Sequence, residues 1–172
     1  MSYDKHLWQL VRDFVGRFND HRSENFFPSD ILCADESMSK WNGLGGFWIN
    51  IGLPQFVAMD RKPVDGCEIQ NICCARSRVM LRLKLVEAAE EEDAHTQDDD
   101  EGFPHGFKVL RFLSSPWAHT DRLICSDSYF ASVTAVEELE KLGLRFIGVV
   151  KTATKKFPMA YLDSIDLEGR GD

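Results

Sequence analysis

The sequence predicts an α/β fold, in which helices flank a mixed β-sheet. Three features support this fold class: an amphipathic helical pattern near the N-terminus, several short apolar or alternating runs, and a strand–helix–strand succession between residues 122 and 150. Strands that are followed by a β-α-β unit are typical of a mixed sheet with helices packed on it. The 172 residues, 44% of them hydrophobic, are enough for one domain with a buried core.

The first half of the chain is predicted to contain a helix followed by strands. Residues 1–26 are interpreted as a helical lead-in, with the helix itself at 3–19 and its end at Asp20 and Ser23. A glycine-rich patch at 42–46 predicts a loop. Four runs are typical of strands: 31–37, 56–59, 68–74 and 79–86. In the last of these, apolar residues alternate with charged ones, which predicts a half-buried strand.

An acidic segment separates the two halves of the chain. Residues 87–101 carry nine Asp and Glu residues and no Lys or Arg, and the net charge of −8 becomes +1 when these nine charges are left out. The acidity therefore belongs to one segment and does not exclude a nucleic-acid partner for the remaining surface. Residues 87–104 are predicted to be a disordered surface insertion, with mimicry of DNA or recruitment of a basic partner as the open alternative.

The second half of the chain is predicted to end in the β-α-β unit. Four segments are assigned: a short element of open type at 109–112, a strand at 122–125, a helix between 134 and 143, and a strand at 146–150. The capping-box pattern from Thr134 to Glu137 predicts the start of the helix, and Gly143 predicts a left-handed cap at its end.

Several classes of site and compartment do not fit the sequence. The five cysteines form no CxxC pair, and no histidines stand at zinc-ligand spacing, which argues against a zinc site and favours reduced thiols. The five histidines show no catalytic triad spacing. No run of 18 apolar residues and no export signal is present, so we expect an intracellular protein that does not enter a membrane.

Two acids, Asp35 and Asp127, each follow a short apolar run and precede small polar residues. Acids at strand ends stand at the rim of a sheet, where they can point at a common position. Carboxylates that converge repel each other, and a pair of Mg²⁺ ions would relieve the repulsion and could activate a water or a 3′-hydroxyl for phosphodiester chemistry. An Asp after a strand is more often a turn or helix-cap residue, and this alternative stays open.

Four short motifs follow one another between residues 27 and 158. They are Asp35-Glu36 ahead of Gly43; Arg61-Lys62-Pro63 with Gly66; Cys125 to Ser132, with Asp127 at its centre; and Gly148 to Lys151, followed by Lys155-Lys156-Phe157-Pro158. In this order and spacing they resemble the motifs of the piggyBac transposase family. The sequence departs from the family pattern at Asn42 and Leu44, where basic residues are usual, and at Glu68, which also stands at a basic position.

The resemblance implies a ribonuclease H-like catalytic domain that spans residues 27–172 and is incomplete at its C-terminus. In the family, three Asp residues hold Mg²⁺ for DNA cleavage and strand transfer in cut-and-paste transposition, and Asp35 and Asp127 match the first two. The third is expected well downstream of Pro158, and Asp163 and Asp166 come too soon after the last strand. The resemblance therefore implies that this chain is inactive alone; the alternative is a domesticated, non-catalytic module that binds DNA or protein.

The resemblance also implies a DNA partner and a nuclear location. Four basic residues match family positions or lie beside them, and they are expected to contact DNA phosphates: Lys62, Lys151, Lys155 and Lys156. A solvated basic loop is the alternative for the last three.

Overall fold

The computed structural model describes residues 9–40, 66–86, 102–151, 154–166 and 169. The helices are α1 (Gln9–Asn25), α2 (His105–Ser114), α3 (Val133–Lys141) and α4 (Met159–Asp163), and a 3₁₀ turn (Ser115–Trp117) follows α2. The strands are β1 (Ile31–Lys40), β2 (Gly66–Cys74), β3 (Met80–Leu85), β4 (Leu123–Ser126) and β5 (Arg145–Gly148).

The five strands form one mixed sheet in the order β3-β2-β1-β4-β5. Strands β3, β2 and β1 pair antiparallel, whereas β1, β4 and β5 pair parallel. The predicted α/β fold with a mixed sheet is therefore confirmed. Because β1, β4 and β5 run in the same direction, their carboxyl ends meet at one edge of the sheet, which we call the carboxyl edge.

One face of the sheet packs against α2 and α3 and forms the main core. Side chains of β1, β2 and β4 alternate onto this face, and those that are fully buried include Leu32, Ile72 and Ile124. Helices α2 and α3 contribute a larger apolar set, packed against the sheet: Phe107, Val109, Leu110, Leu113, Ala135 and Leu139. The sequence left the type of the element at 109–112 open, and the structure shows that these residues belong to the helix α2. The buried side chains of this helix account for the apolar pattern.

The helix α1 is longer at its C-terminal end than the sequence pattern predicts. It continues through Asp20 and Ser23, so the predicted end at these residues is wrong. The Ser23 hydroxyl donates to the Asp20 carbonyl at 2.9 Å, and the Asn25 amide donates to the His21 carbonyl at 3.0 Å. These polar side chains bond to the preceding turn of the helix rather than ending it.

The start of α3 also differs from the prediction. Ser132 is the N-cap, because its hydroxyl accepts from the Ala135 N–H at 3.0 Å, and Thr134 lies inside the first turn. The predicted end is confirmed: Gly143 has a φ of +65°, and a Cβ there would lie 2.9 Å from the Cα of His119. A side chain at this position would be strained and would also collide with the neighbouring loop.

Several predicted features fall on residues that the structure does not describe. The loop at 42–46, the strand at 56–59, Lys62 and the acidic residues 87–101 lie outside the described ranges. Within those ranges, no helix combines the length and the apolar character needed to cross a membrane.

A side chain of α1 covers part of the outer edge of β3. Asn19 is 7% exposed and bonds twice to the backbone of Leu83: its amide donates to the carbonyl at 2.9 Å, and its oxygen accepts from the N–H at 2.8 Å. Beside it, Val15 packs against Leu83 and Leu85 in a small second core. Asn19 thus satisfies two backbone groups that an edge strand would otherwise leave without a protein partner.

We predict that Asn19→Ala destabilises the protein by about 1–3 kcal/mol, because Leu83 loses both partners in a buried setting. Chemical denaturation of the variant and the parent protein measures the difference. Glu24→Ala, at an exposed position on the same helix, is the matched control and should change stability by less than about 0.5 kcal/mol. Equal stability of the two variants would contradict the role given to Asn19.

Candidate functional site

Asp35 and Asp127 are neighbours at the carboxyl edge, where the parallel pairing of β1 with β4 ends. The prediction that Asp35 ends its strand is wrong, because β1 continues to Lys40 in its pairing with β2. Strands β1 and β4 pair in parallel with Ala34 opposite Ser126, so the next two residues along the strands are Asp35 and Asp127. Ala34 and Ser126 are buried, whereas both acids are exposed, as the alternation of side chains between the two faces of a sheet requires. Adjacent strands lie about 4.8 Å apart, so the backbones of the two acids lie side by side.

Each carboxylate is oriented by an N–H group close to it in sequence. Asp35 Oδ1 accepts from the Glu36 N–H at 2.9 Å, and Asp127 Oδ1 accepts from the Tyr129 N–H at 2.8 Å. The Asp127 contact is an Asx turn, so the turn role that the sequence left open is present. The turn does not exclude a role at the carboxyl edge, because the charge of Asp127 still acts on Glu36 of β1.

Glu36 joins the two acids electrostatically. The pKa of Glu36 is raised from 4.5 to about 7. Burial is the largest cause, the charge of Asp127 is the next, and Asp35 adds a hydrogen bond and a charge that act in the same direction. Both acids therefore act on Glu36, which is partly protonated at neutral pH.

Polar side chains of β1 and β2 continue the site. Asn71 stands opposite Asp35 in the antiparallel pair and is buried, and its amide donates to the Ser37 hydroxyl at 3.0 Å. Asp35, Ser37 and Asn71 share one face because opposed residues and residues two apart project to the same side of a sheet. The acids thus stand next to a fixed polar pair.

Three cysteines lie one step further from the carboxyl edge. Cys73, Cys33 and Cys125 face one another across β2, β1 and β4, and we call them the thiol row. All three are half-buried. Burial raises the pKa of the Cys33 thiol, and the neighbouring Cys125 and Cys73 raise it further, so Cys33 is protonated at neutral pH.

A close approach of α2 supports the turn that follows Asp127. A Cβ on Gly106 would lie 2.9 Å from the Tyr129 carbonyl oxygen and 3.3 Å from the Phe130 Cα. Because both atoms belong to the backbone, only glycine lets the helix approach the turn so closely. Phe130 is buried, and its ring packs edge-on against Tyr129 with centroids 4.9 Å apart. These contacts hold the segment that carries Asp127.

A groove and two lysines border the carboxyl edge beyond β5. The groove encloses about 480 Å³ between the first turn of α3, the end of β5 and residues 154–158. Phe146 and Phe157 are among its lining residues. Lys151 and Lys155 are exposed and follow β5, so they lie on the side of the sheet to which Asp35 and Asp127 belong.

Residues 3–168 match the protein-family model described as Transposase IS4. The chain belongs to the Transposase IS4 family. No match is found among curated proteins. The transposase assignment made from the sequence motifs is thus confirmed for nearly the whole chain.

The fold of this transposase-family chain is also that of a solved transposase. It resembles a chain of the "piggyBac transposase synaptic complex with hairpin DNA", determined by cryo-EM, with a TM-score of 0.73 and 20% sequence identity. The match covers 98% of this chain and 32% of the other, so this chain spans about a third of that transposase. The ribonuclease H-like fold that the motifs implied is confirmed by this likeness.

Sequence reasoning identified Asp35 and Asp127 as a pair but missed the groups that neighbour them. Glu36 is part of an Asp-Glu pair in the sequence, yet its partial burial and its exposure to the charge of Asp127 depend on the β1–β4 register. Asn71 stands inside a predicted strand, where a buried amide is a recognisable signal. Among the described residues, no three His, Cys, Asp or Glu side chains are arranged to hold a metal ion by themselves.

We predict that Glu36 makes stability depend on pH. Its pKa rises from 4.5 to about 7 on folding. The contribution of Glu36 to the free energy of unfolding is therefore fully present below about pH 4.5, and it is lost as the pH rises through 7. Glu36→Gln should therefore gain stability relative to the parent across this window, by on the order of 1 kcal/mol after solvent screening. Thermal melts in metal-free buffer at several pH values measure this difference, and Glu24→Gln is the control. If the stability of Glu36→Gln followed the pH in parallel with that of the parent protein, the assignment would be refuted.

Proposed function

We propose that this chain forms the part of a DNA transposase domain that carries the first two carboxylates of a Mg²⁺-dependent site for DNA cleavage and strand transfer. The observation that supports it best is the register of β1 and β4, which brings Asp35 and Asp127 side by side at the carboxyl edge. Membership of the Transposase IS4 family supplies the reaction class.

The donor set fits Mg²⁺. This ion takes oxygen ligands and is commonly bound by one or two carboxylates together with water and substrate phosphates, which does not require three protein ligands. Burial is the main reason for the raised pKa of Glu36, and a cation would relieve the smaller part that comes from the charges of Asp127 and Asp35. Asp35 and Asp127 would hold the ion, which when bound stabilises charge on the reacting phosphodiester oxygens.

The residues of this chain would also bind and orient DNA. Lys151 and Lys155 are exposed at the carboxyl edge, and with Lys156 and Lys62 they are proposed to contact backbone phosphates. Binding to phosphates on both sides of a scissile bond would bring that bond to the carboxylates. The similar piggyBac structure is a complex with hairpin DNA, which supports DNA as the ligand and a nuclear place of action.

We further propose that the chain alone binds Mg²⁺ and DNA without completing cleavage. The family pattern requires a third carboxylate beyond Pro158. Asp163 ends α4 and Asp166 follows it, and within the described residues neither joins Asp35 and Asp127 in a metal-binding group. A non-catalytic module that binds DNA or protein is the alternative, and it is favoured if the carboxylate pair shows no affinity for a divalent cation.

We predict that Asp35→Asn and Asp127→Asn each weaken Mg²⁺ or Mn²⁺ binding at least about tenfold, because each removes a charged ligand from a site with two. Isothermal titration calorimetry of the folded chain in metal-free buffer measures the affinity. Asp30→Asn, at the opposite end of β1, is the matched control and should leave the affinity unchanged. Equal loss in all three variants, or no binding by the parent protein, would contradict the metal site.

We predict that the double change Lys155→Gln and Lys156→Gln weakens binding to duplex oligonucleotides of any sequence. If each lysine neutralises one phosphate, the slope of log affinity against log salt concentration should fall by about 2. Fluorescence anisotropy at several salt concentrations measures both quantities.

The matched control for DNA binding is Lys141→Gln. Lys141 is exposed and paired with Glu138 at the C-terminal end of α3, away from the carboxyl edge. Its removal should leave the salt slope unchanged. A double lysine variant that keeps the parental slope would show that this basic segment does not contact DNA.

A further inference from the structure

The thiol row places two cysteines in direct opposition on parallel strands. Cys33 of β1 and Cys125 of β4 are register partners, and they project from the same face as Asp35 and Asp127. Both side chains are half-buried, so a small solute can reach them.

The backbone spacing suits a covalent bond between these two residues. A disulfide needs Cα atoms about 4.4–6.8 Å apart, and directly opposed residues on neighbouring strands meet this requirement. Cys73 is the competing partner on the other side of Cys33. Its thiol is directed to the Cys33 carbonyl oxygen, at 3.5 Å, rather than to the Cys33 sulfur. Cys125 is therefore the better placed of the two.

We propose that Cys33 and Cys125 form an oxidation site, at which a hydroperoxide converts the two thiols into a disulfide between β1 and β4. The Cys125 sulfur attacks the O–O bond, because the raised pKa of Cys33 makes that thiol the weaker nucleophile. The O–O bond breaks to give a sulfenic acid on Cys125 and one water when hydrogen peroxide is the oxidant. The second sulfur then displaces the sulfenic oxygen as another water. Two thiols are oxidised to one disulfide, and one peroxide is reduced to two waters, so atoms and electrons balance.

The position of this site gives the oxidation a consequence for the carboxylates. Cys33 is two residues from Asp35, and Cys125 is two residues from Asp127, on the same two strands and the same face. A covalent bond at that point fixes the local spacing and tilt of β1 and β4. This inference rests on the proposed function: we infer that the disulfide weakens Mg²⁺ binding by about tenfold. Changes in groups that orient metal ligands have effects of this size.

The experiment treats the folded full chain with hydrogen peroxide, blocks the remaining thiols with an alkylating reagent, and maps crosslinked peptides by mass spectrometry. We expect a Cys33–Cys125 peptide that disappears on reduction and in both Cys33→Ser and Cys125→Ser. Cys73→Ser and Cys67→Ser are matched controls that should keep the crosslink. Three results would each overturn the proposal: crosslinks only through Cys73 or Cys67, sulfinic acid without any crosslink, or unmodified thiols. Each can be observed in the parent protein, so the test does not depend on the folding of a variant.

A second measurement separates the disulfide from the metal site. Mg²⁺ affinity is compared for reduced parent, oxidised parent, and Cys33→Ser exposed to the same peroxide. Weaker binding only in the oxidised parent, reversed by dithiothreitol, supports the coupling. A crosslink with unchanged affinity overturns the coupling and leaves the oxidation site standing. If the reduced parent binds no Mg²⁺, the proposed function fails while the peptide map still decides the disulfide.

Discussion

The parallel pairing of β1 with β4 is the constraint on which the site depends. Ladder hydrogen bonds fix Ala34 opposite Ser126, and the adjacency of Asp35 and Asp127 follows from that register. A slip of one residue would turn one acid toward the buried face and an apolar side chain toward solvent, at a cost set by the whole core. The two acids are ninety-two positions apart in the sequence, so only tertiary structure can bring them together.

The residues around Asp35 and Asp127 hold the two acids in place, and one of them, Glu36, has a raised pKa. Glu36 is half-buried, and its burial together with the charges of Asp127 and Asp35 raises its pKa to about 7. The packing of α2 against the turn after Asp127, which Gly106 permits, keeps the segment from moving away. If Asp35 and Asp127 hold Mg²⁺ as proposed, this fixed segment reduces the cost of binding, because the ligands do not have to be ordered first.

The sequence predicts the secondary structure well where side-chain alternation is strong. The leucines of β3 and the buried runs of β1 and β4 appear as predicted, and the motifs pointed to Asp35 and Asp127. The start of α3 was misplaced because Ser132 and Thr134 both offer a capping hydroxyl, and only backbone conformation distinguishes them. The thiol row and the environment of Glu36 arise from strand register, which no local pattern encodes.

The two outer strands of the sheet are not equivalent. At β3, Asn19 occupies the outward N–H and carbonyl of Leu83, so another chain cannot pair there without displacing a buried side chain. Strand β5 is the last strand in the order of the sheet. Ile147 in β5 is 55% exposed, and Val149, which follows the strand, is 61% exposed. Among the described residues, the β3 edge is therefore partly covered, whereas no strand pairs with the outer side of β5, which is the edge more open to a further strand.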